Sequence, residues 1–213
     1  MFYLGPIPNH NHITHATYSL HLPATPSDYR KNKNVWLALW IGLQNDPAGN
    51  DIMNEDFVQP LLNWAVDQEG SGCPAHLTNW CAAASTYTPA VQVQQPYISI
   101  PSDKRLDFEI SITLQNAIHQ SISIDGKIIS QQTSSQGMHP SVIYSGTECY
   151  DHGCGTVPAH RWSNISLTLN APTTGLDQAL TLTGAKCSGL QTSDGGKTWE
   201  IASMEIEAQN LNR

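Results

Sequence analysis

Along residues 34–44, NVWLALWIGLQ, apolar and mixed positions alternate with a period of two, the pattern of a β-strand whose successive side chains face opposite ways. Val35, Leu37, Leu39, Ile41 and Leu43 make one wholly aliphatic face, which is expected to be core. Trp36, Ala38, Trp40, Gly42 and Gln44 make the other. Two indoles and an amide set among small residues compose a binding floor rather than a solvated surface.

The same reading extends along the chain. Residues 57–66, FVQPLLNWAV, place Leu62, Trp64 and Val66 in the core and Gln59, Leu61, Asn63 and Ala65 opposite; Pro60 restricts the strand to an edge or a bulge. Residues 77–85, LTNWCAAAS, predict a third strand with Trp80, Ala82 and Ala84 on one side, where the small residues leave room before the indole. Leu106, Phe108, Ile110, Ile112 and Leu114 alternate with Asp107, Glu109, Ser111 and Thr113, as in a half-buried antiparallel strand. Residues 121–130, SISIDGKIIS, predict a hairpin, with Asp125-Gly126 supplying the positive φ angles of a two-residue turn. Residues 131–140 read as a polar loop, after which NISLTLN, ALTLTGAKC and WEIASMEIEA add alternating strands, the last entered through a turn at 192–197.

Residues 1–33 are rich in Pro, Asn and His without a sustained period, and read as an extended N-terminal arm on a sandwich domain covering 34–213. No amphipathic helix and no repeat of 20 to 50 residues is visible. Short strands joined by Gly, Pro and Asp turns predict an all-β fold, a two-sheet antiparallel β-sandwich or jelly roll.

Composition narrows the partners. The formal net charge is −8 with 13% charged residues, which excludes the basic patch that nucleic acid requires. No run of 18 apolar residues is present to span a membrane. Of five cysteines, Cys149 and Cys154 bracket one short segment and Cys73 and Cys81 another, so two local disulfides with Cys187 left over are one reading and reduced buried thiols the other. Asn164-Ile165-Ser166 is a glycosylation sequon. Together these favour the secretory route, although MFYLGPIPNHNH lacks a basic flank and Gly5 and Pro6 break its apolar stretch. Either a leader is removed before this numbering or the protein stays inside the cell.

VWLALWIGLQ followed by VQPLLNWAVD, NWCAAASTY and a closing WEIASMEIEA resembles the order of motifs in the eqolisin glutamic peptidases and their fungal relatives. The resemblance covers roughly residues 34 to 207, and it implies a concanavalin A-like sandwich in which one sheet curves into an open cleft. In eqolisins a Gln and a Glu facing each other across that cleft activate water and stabilise the oxyanion. Here Asn63 stands at the position corresponding to the Gln, and the Glu-bearing strand corresponds to ALTLTGA, with Leu180, Ala179 or Thr181 in place of the carboxyl. The Glu of a third family motif falls on Ala82 or Ala83. On this reading eqolisin-type hydrolysis has no acid.

What remains is a hollow lined by Trp36, Trp40, Gln44, Gln59, Leu61, Asn63 and Trp80, with Thr181 and Thr183 opposite. Gln44, Asn63 and the indole N–H groups are its hydrogen-bond donors, and Asn63 and Gln44 are the candidate catalytic groups. No cofactor is called for. Three functions fit: a cofactor-free enzyme of cyclase or cycloaddition type holding a small, partly apolar substrate; a carbohydrate-binding lectin; and a divergent peptidase. The apolar Leu61 and the alanines favour the first. A small-molecule ligand is the expected partner, and a homodimer is left open. Outside the hollow, Asp151-His152 could supply a general base, Asp46, Asp51, Glu55 and Asp56 could hold Ca²⁺, and His10, His12 and His15 invite a metal reading. Each is weaker than its bland alternative, and no metal site is expected.

Overall fold

The computed structural model describes residues 1–46 and 52–212. Its strands are β1 (Phe2–Leu4), β2 (Ile13–His21), β3 (Trp36–Gln44), β4 (Phe57–Val58), β5 (Leu61–Ala65), β6 (Trp80–Ala83) and β7 (Ser85–Tyr87). There follow β8 (Gln92–Gln94), β9 (Ile98–Ile100), β10 (Arg105–Ile112), β11 (Ile118–Ile124), β12 (Lys127–Ser134) and β13 (Val142–Tyr150). The last are β14 (Thr156–Val157), β15 (His160–Leu169), β16 (Leu180–Leu182), β17 (Ala185–Cys187), β18 (Thr198–Ile206) and β19 (Gln209–Asn210). Among the described residues they form a ten-stranded sheet, β16-β1-β13-β3-β4-β7-β8 with β5, β6 and β9 branching from β3, and a seven-stranded sheet, β12-β11-β10-β2-β15-β18-β17. β14 and β19 make a separate small pair. All pairings are antiparallel.

The two large sheets pack face to face as the alternation predicts. Val35, Leu37, Leu39, Ile41 and Leu43 lie in the core at no more than 1% exposure, with Leu106, Phe108 and Ile110 also buried. Tyr18, Phe108 and Trp162 form an aromatic cluster, with Tyr18 stacked on Phe108 at 4.9 Å. The Tyr18 hydroxyl crosses between the sheets to donate to the Ile41 carbonyl at 2.9 Å. A buried phenol without such a partner would cost a few kcal/mol, so this bond fixes how the sheets sit. The hairpin turn at Asp125 (φ 51°) and Gly126 (φ 78°) is as expected.

Several expectations change. The N-terminal residues are no arm over the sandwich: β1 pairs with β13 and β16, and β2 is a central strand between β10 and β15. Its inward positions include Ala16 and Tyr18 and its outward ones His15, Thr17 and Ser19, too weak a hydropathy contrast to show as a period. Leu114 is fully exposed because β10 ends at Ile112 and the chain turns through Asn116 at φ 59°. The loop expected at 131–140 is strand as far as Ser134. ALTLTGAKC splits at Gly184 (φ 56°) into β16, an edge of the first sheet, and β17, an edge of the second.

Both local disulfides form, Cys73–Cys81 and Cys149–Cys154, and Cys187 is free. No helix among the described residues is long and apolar enough to cross a membrane.

Candidate functional site

The outer face of the ten-stranded sheet holds a cleft of about 940 Å³. Its floor follows from register, since residues paired across antiparallel strands project to the same side. β13, β3 and β5 lie side by side and set three rows: Tyr150–Trp36–Ala65, Glu148–Ala38–Asn63 and Gly146–Trp40–Leu61. In the middle row a carboxylate and an amide flank a methyl group. Two strand spacings place their Cα atoms about 10 Å apart, so Ala38 leaves open space between them. All three residues line the cleft.

Asn63 and Gln59 are 4% and 6% exposed, and among the described residues neither side-chain amide has a hydrogen-bond partner within the protein. Nearly buried amides are ordinarily paired. Amides left open at the bottom of a cleft are therefore available to a ligand.

The neighbours orient Glu148. The indole N–H of Trp40 donates to its carboxylate at 3.4 Å, and Trp40 can lie flat because Gly146 is beneath it: a Cβ there would come within 2.2 Å of the indole. Tyr97, on the far side, has its phenol pushed up to about 12, chiefly by burial, against a hydrogen bond from Gln94 that lowers it and with a further rise from the Glu148 charge. It stays a neutral donor at any working pH. Trp36 stacks on Tyr150 at 5.4 Å with planes 10° apart, giving an aromatic platform one row from Glu148. Gln92 and Gln94 of β8 complete the far wall. That wall is held by a buried amide network: the Gln120 carbonyl accepts the Ser85 N–H, its amide donates to Ser85 O and Thr86 Oγ1, and Gln132 reaches the same threonine.

The structure thus brings Trp36, Gln59, Leu61 and Asn63 to one hollow, with Trp40 at its edge. It removes the others. Gln44 is 1% exposed, accepting from the Tyr144 hydroxyl and donating to the Glu55 carbonyl, beyond the cleft. Trp80 is core, its indole donating to Pro23 O, because β6 pairs with β5 so that Cys81 and Ala83, rather than Trp80 and Ala82, share the face of Asn63 and Leu61. Thr181 and Thr183 belong to the β16 edge, where Thr181 pairs with Tyr3, two strands from the floor. The carboxylate on the cleft floor comes instead from β13, which the periodicity does not mark as a strand; Asp67 and Asp151 line the cleft as well. The signal for β13 was the alternation of Ile143, Ser145 and Thr147 with Tyr144, Gly146 and Glu148, hidden by two small residues in the middle.

Asp151 also lines the cleft, at its rim, where it accepts the Asn32 amide at 2.6 Å; both it and His152 lie in an exposed turn at positive φ. Among the described residues no three His, Cys, Asp or Glu converge on one point, and Asp51 of the acidic loop lies outside the described residues. Asn164 is exposed at φ 52°, where β15 bulges against β2 between Ser163 and Ser166.

The fold is similar to that of solved glutamic peptidases. Scytalido-glutamic peptidase, solved with a transition-state analog inhibitor, superposes with a TM-score of 0.55 at 14% identity, over 94% of this chain and 95% of that one. SCP-B, an eqolisin-family peptidase solved in complex with the tripeptide Ala-Ile-His, superposes with a TM-score of 0.51 at 13% identity over the same shares. The likeness is one of fold. No protein-family model and no curated protein sequence matches the chain.

Proposed function

We propose that the protein is a cofactor-free acid hydrolase of extended peptide substrates, in which Glu148 and Asn63 act together over Ala38. The carrying observation is their shared row on the cleft floor, a titratable carboxylate and an open amide with a gap between. Glu148 takes a proton from a water held in that gap, and the water oxygen attacks the substrate carbonyl carbon. Asn63 donates its amide N–H to the developing oxyanion, and Glu148 then passes the proton to the leaving nitrogen. A pair of this kind is one methylene shorter on the amide side than the Gln of the eqolisins. An open cleft lined by amides, carboxylates and a stacked Trp–Tyr pair suits a polar chain, and the peptide complexes of the similar folds support that substrate class. The two disulfides support an oxidising compartment outside the cytosol.

The cyclisation anticipated from the sequence presumed a floor without an ionisable group. Glu148 supplies one, so proton transfer to and from water takes precedence. Carbohydrate binding keeps one supporting observation, the platform of Trp36 on Tyr150, on which a sugar ring could stack.

The test is release of peptides from a denatured protein between pH 3 and 7. Cleavage reduced about 10³-fold by Glu148→Gln and about 10²-fold by Asn63→Ala, with unchanged thermal unfolding, is the expected result. Absence of cleavage, or cleavage indifferent to Glu148→Gln, would overturn the proposal, and binding of an oligosaccharide lost in Trp36→Ala would replace it.

A further inference from the structure

At one end of the sandwich, away from the cleft, His12 and His139 face each other. His12 precedes β2 of the seven-stranded sheet and His139 precedes β13 of the ten-stranded one. Both backbones are fixed: His12 N–H donates to the Asn170 side chain at 2.8 Å and its carbonyl accepts Asn170 N–H at 2.9 Å, while His139 N–H donates to the Asn45 side chain at 3.0 Å. Between them, Ile13 N–H donates to the Pro140 carbonyl at 2.8 Å. His12 Nε2 and His139 Nδ1 are 3.3 Å apart, with the rings at 72° to one another.

We infer that this pair is a bidentate site for a divalent late transition metal such as Zn²⁺ or Ni²⁺, cross-linking the segments that lead into the two sheets. Imidazole nitrogens bind such ions at about 2.0–2.1 Å, and two of them subtending a tetrahedral angle are about 3.3 Å apart. The protein therefore holds the two nitrogens at the required bite before any ion arrives, and the preorganisation comes from asparagine side chains that grip the histidine backbones. At 3.3 Å the facing nitrogens share a hydrogen bond, so one of them carries its ring proton while no ion is bound; both lone pairs ligate once that proton moves to the outer nitrogen of its ring, His139 Nε2 or His12 Nδ1. Both rings reach solvent, so water or a ligand from outside completes the shell. His10 and His15, which the sequence grouped with His12, do not take part: His15 meets Glu109 at 3.0 Å on the face of the second sheet, and His10 belongs to a separate turn.

Titration of the full chain with Zn²⁺ and, separately, Ni²⁺ by calorimetry at pH 7.5 tests this. One ion per chain is expected, accompanied by a rise in Tm. His12→Ala and His139→Ala should each weaken binding at least about tenfold and remove the Tm rise, whereas His119→Ala should change neither. Binding no tighter in the native chain than in the double variant, or weakened equally by His119→Ala, would overturn the site. Should one variant fail to fold, the other decides alone, since each removes half of the bite.

Discussion

The two ends of one face of β3 differ in a way its own sequence does not foretell. At the Trp36–Ala38 end the face is open and forms the cleft floor. At the Gly42–Gln44 end it is filled: Phe57 lies over Gly42, so close that a Cβ would meet its ring at 2.3 Å, and stacks on Tyr144 at 4.8 Å while Trp40 packs edge-on to both. Glycines at 42 and 146 let large rings lie flat and exclude a ligand. At the other end Ala38 separates side chains that stand up on either side, and space remains. Whether a sheet face binds or packs is decided by what the neighbouring strands lay across it.

Substitutions can break this contrast in order of size. Leu39→Asp, on the opposite face, should abolish folding at a cost well over about 4 kcal/mol, read as loss of the cooperative thermal transition; a folded Leu39→Asp protein would show that the aliphatic face is not core. Phe57→Ala at the filled end should cost about 3–5 kcal/mol in denaturant unfolding. Trp36→Ala at the open end should cost only about 1 kcal/mol, the worth of its stack on Tyr150, and the two ends are alike if these costs match. Gly146→Ala should cost about 1–3 kcal/mol through overpacking against Trp40 and, by displacing the indole from Glu148, lower peptide hydrolysis by more than the loss of stability explains.

The smallest effect lies outside both ends and serves as a control. Burial holds the His160 imidazole below its usual range, opposed by a bond to the Pro158 carbonyl and aided by the N-terminal amine. The unfolded chain takes up that proton near pH 6.5 while the folded protein does not. His160 thus contributes stability that is complete above about pH 6.5 and declines as pH falls towards the lower folded value. His160→Gln should flatten the slope of Tm against pH in that window without touching hydrolysis; an unchanged slope would assign the dependence to another group.

Much of this was legible in the residues. Strict alternation from Val35 to Leu43 separated the core face from the opposite one, and the same parity in residues 59–63 put Gln59, Leu61 and Asn63 on the side of Trp36 and Ala38. Asp125-Gly126 marked its hairpin, and short spacing marked both disulfides as one of two readings. What escaped was whatever depended on pairing between distant segments. Trp80 reads as a floor tryptophan until β6 takes its register from β5, which turns the indole inward towards Pro23. Glu148 belongs to no element that the alternation marks until β13 pairs with β3 and sets it beside Ala38. Tyr97 carries no pattern at all; burial and the nearby carboxylate make it a neutral donor.

The sequence by itself determined the two-faced strands, because period-two alternation is a local property of a chain whose side chains must choose between water and core. Only the tertiary structure decided that Asn63 and Glu148, 85 positions apart, flank one methyl group, and that His12 and His139 meet. Register between distant strands is fixed by the packing of whole sheets, and no single stretch carries that information.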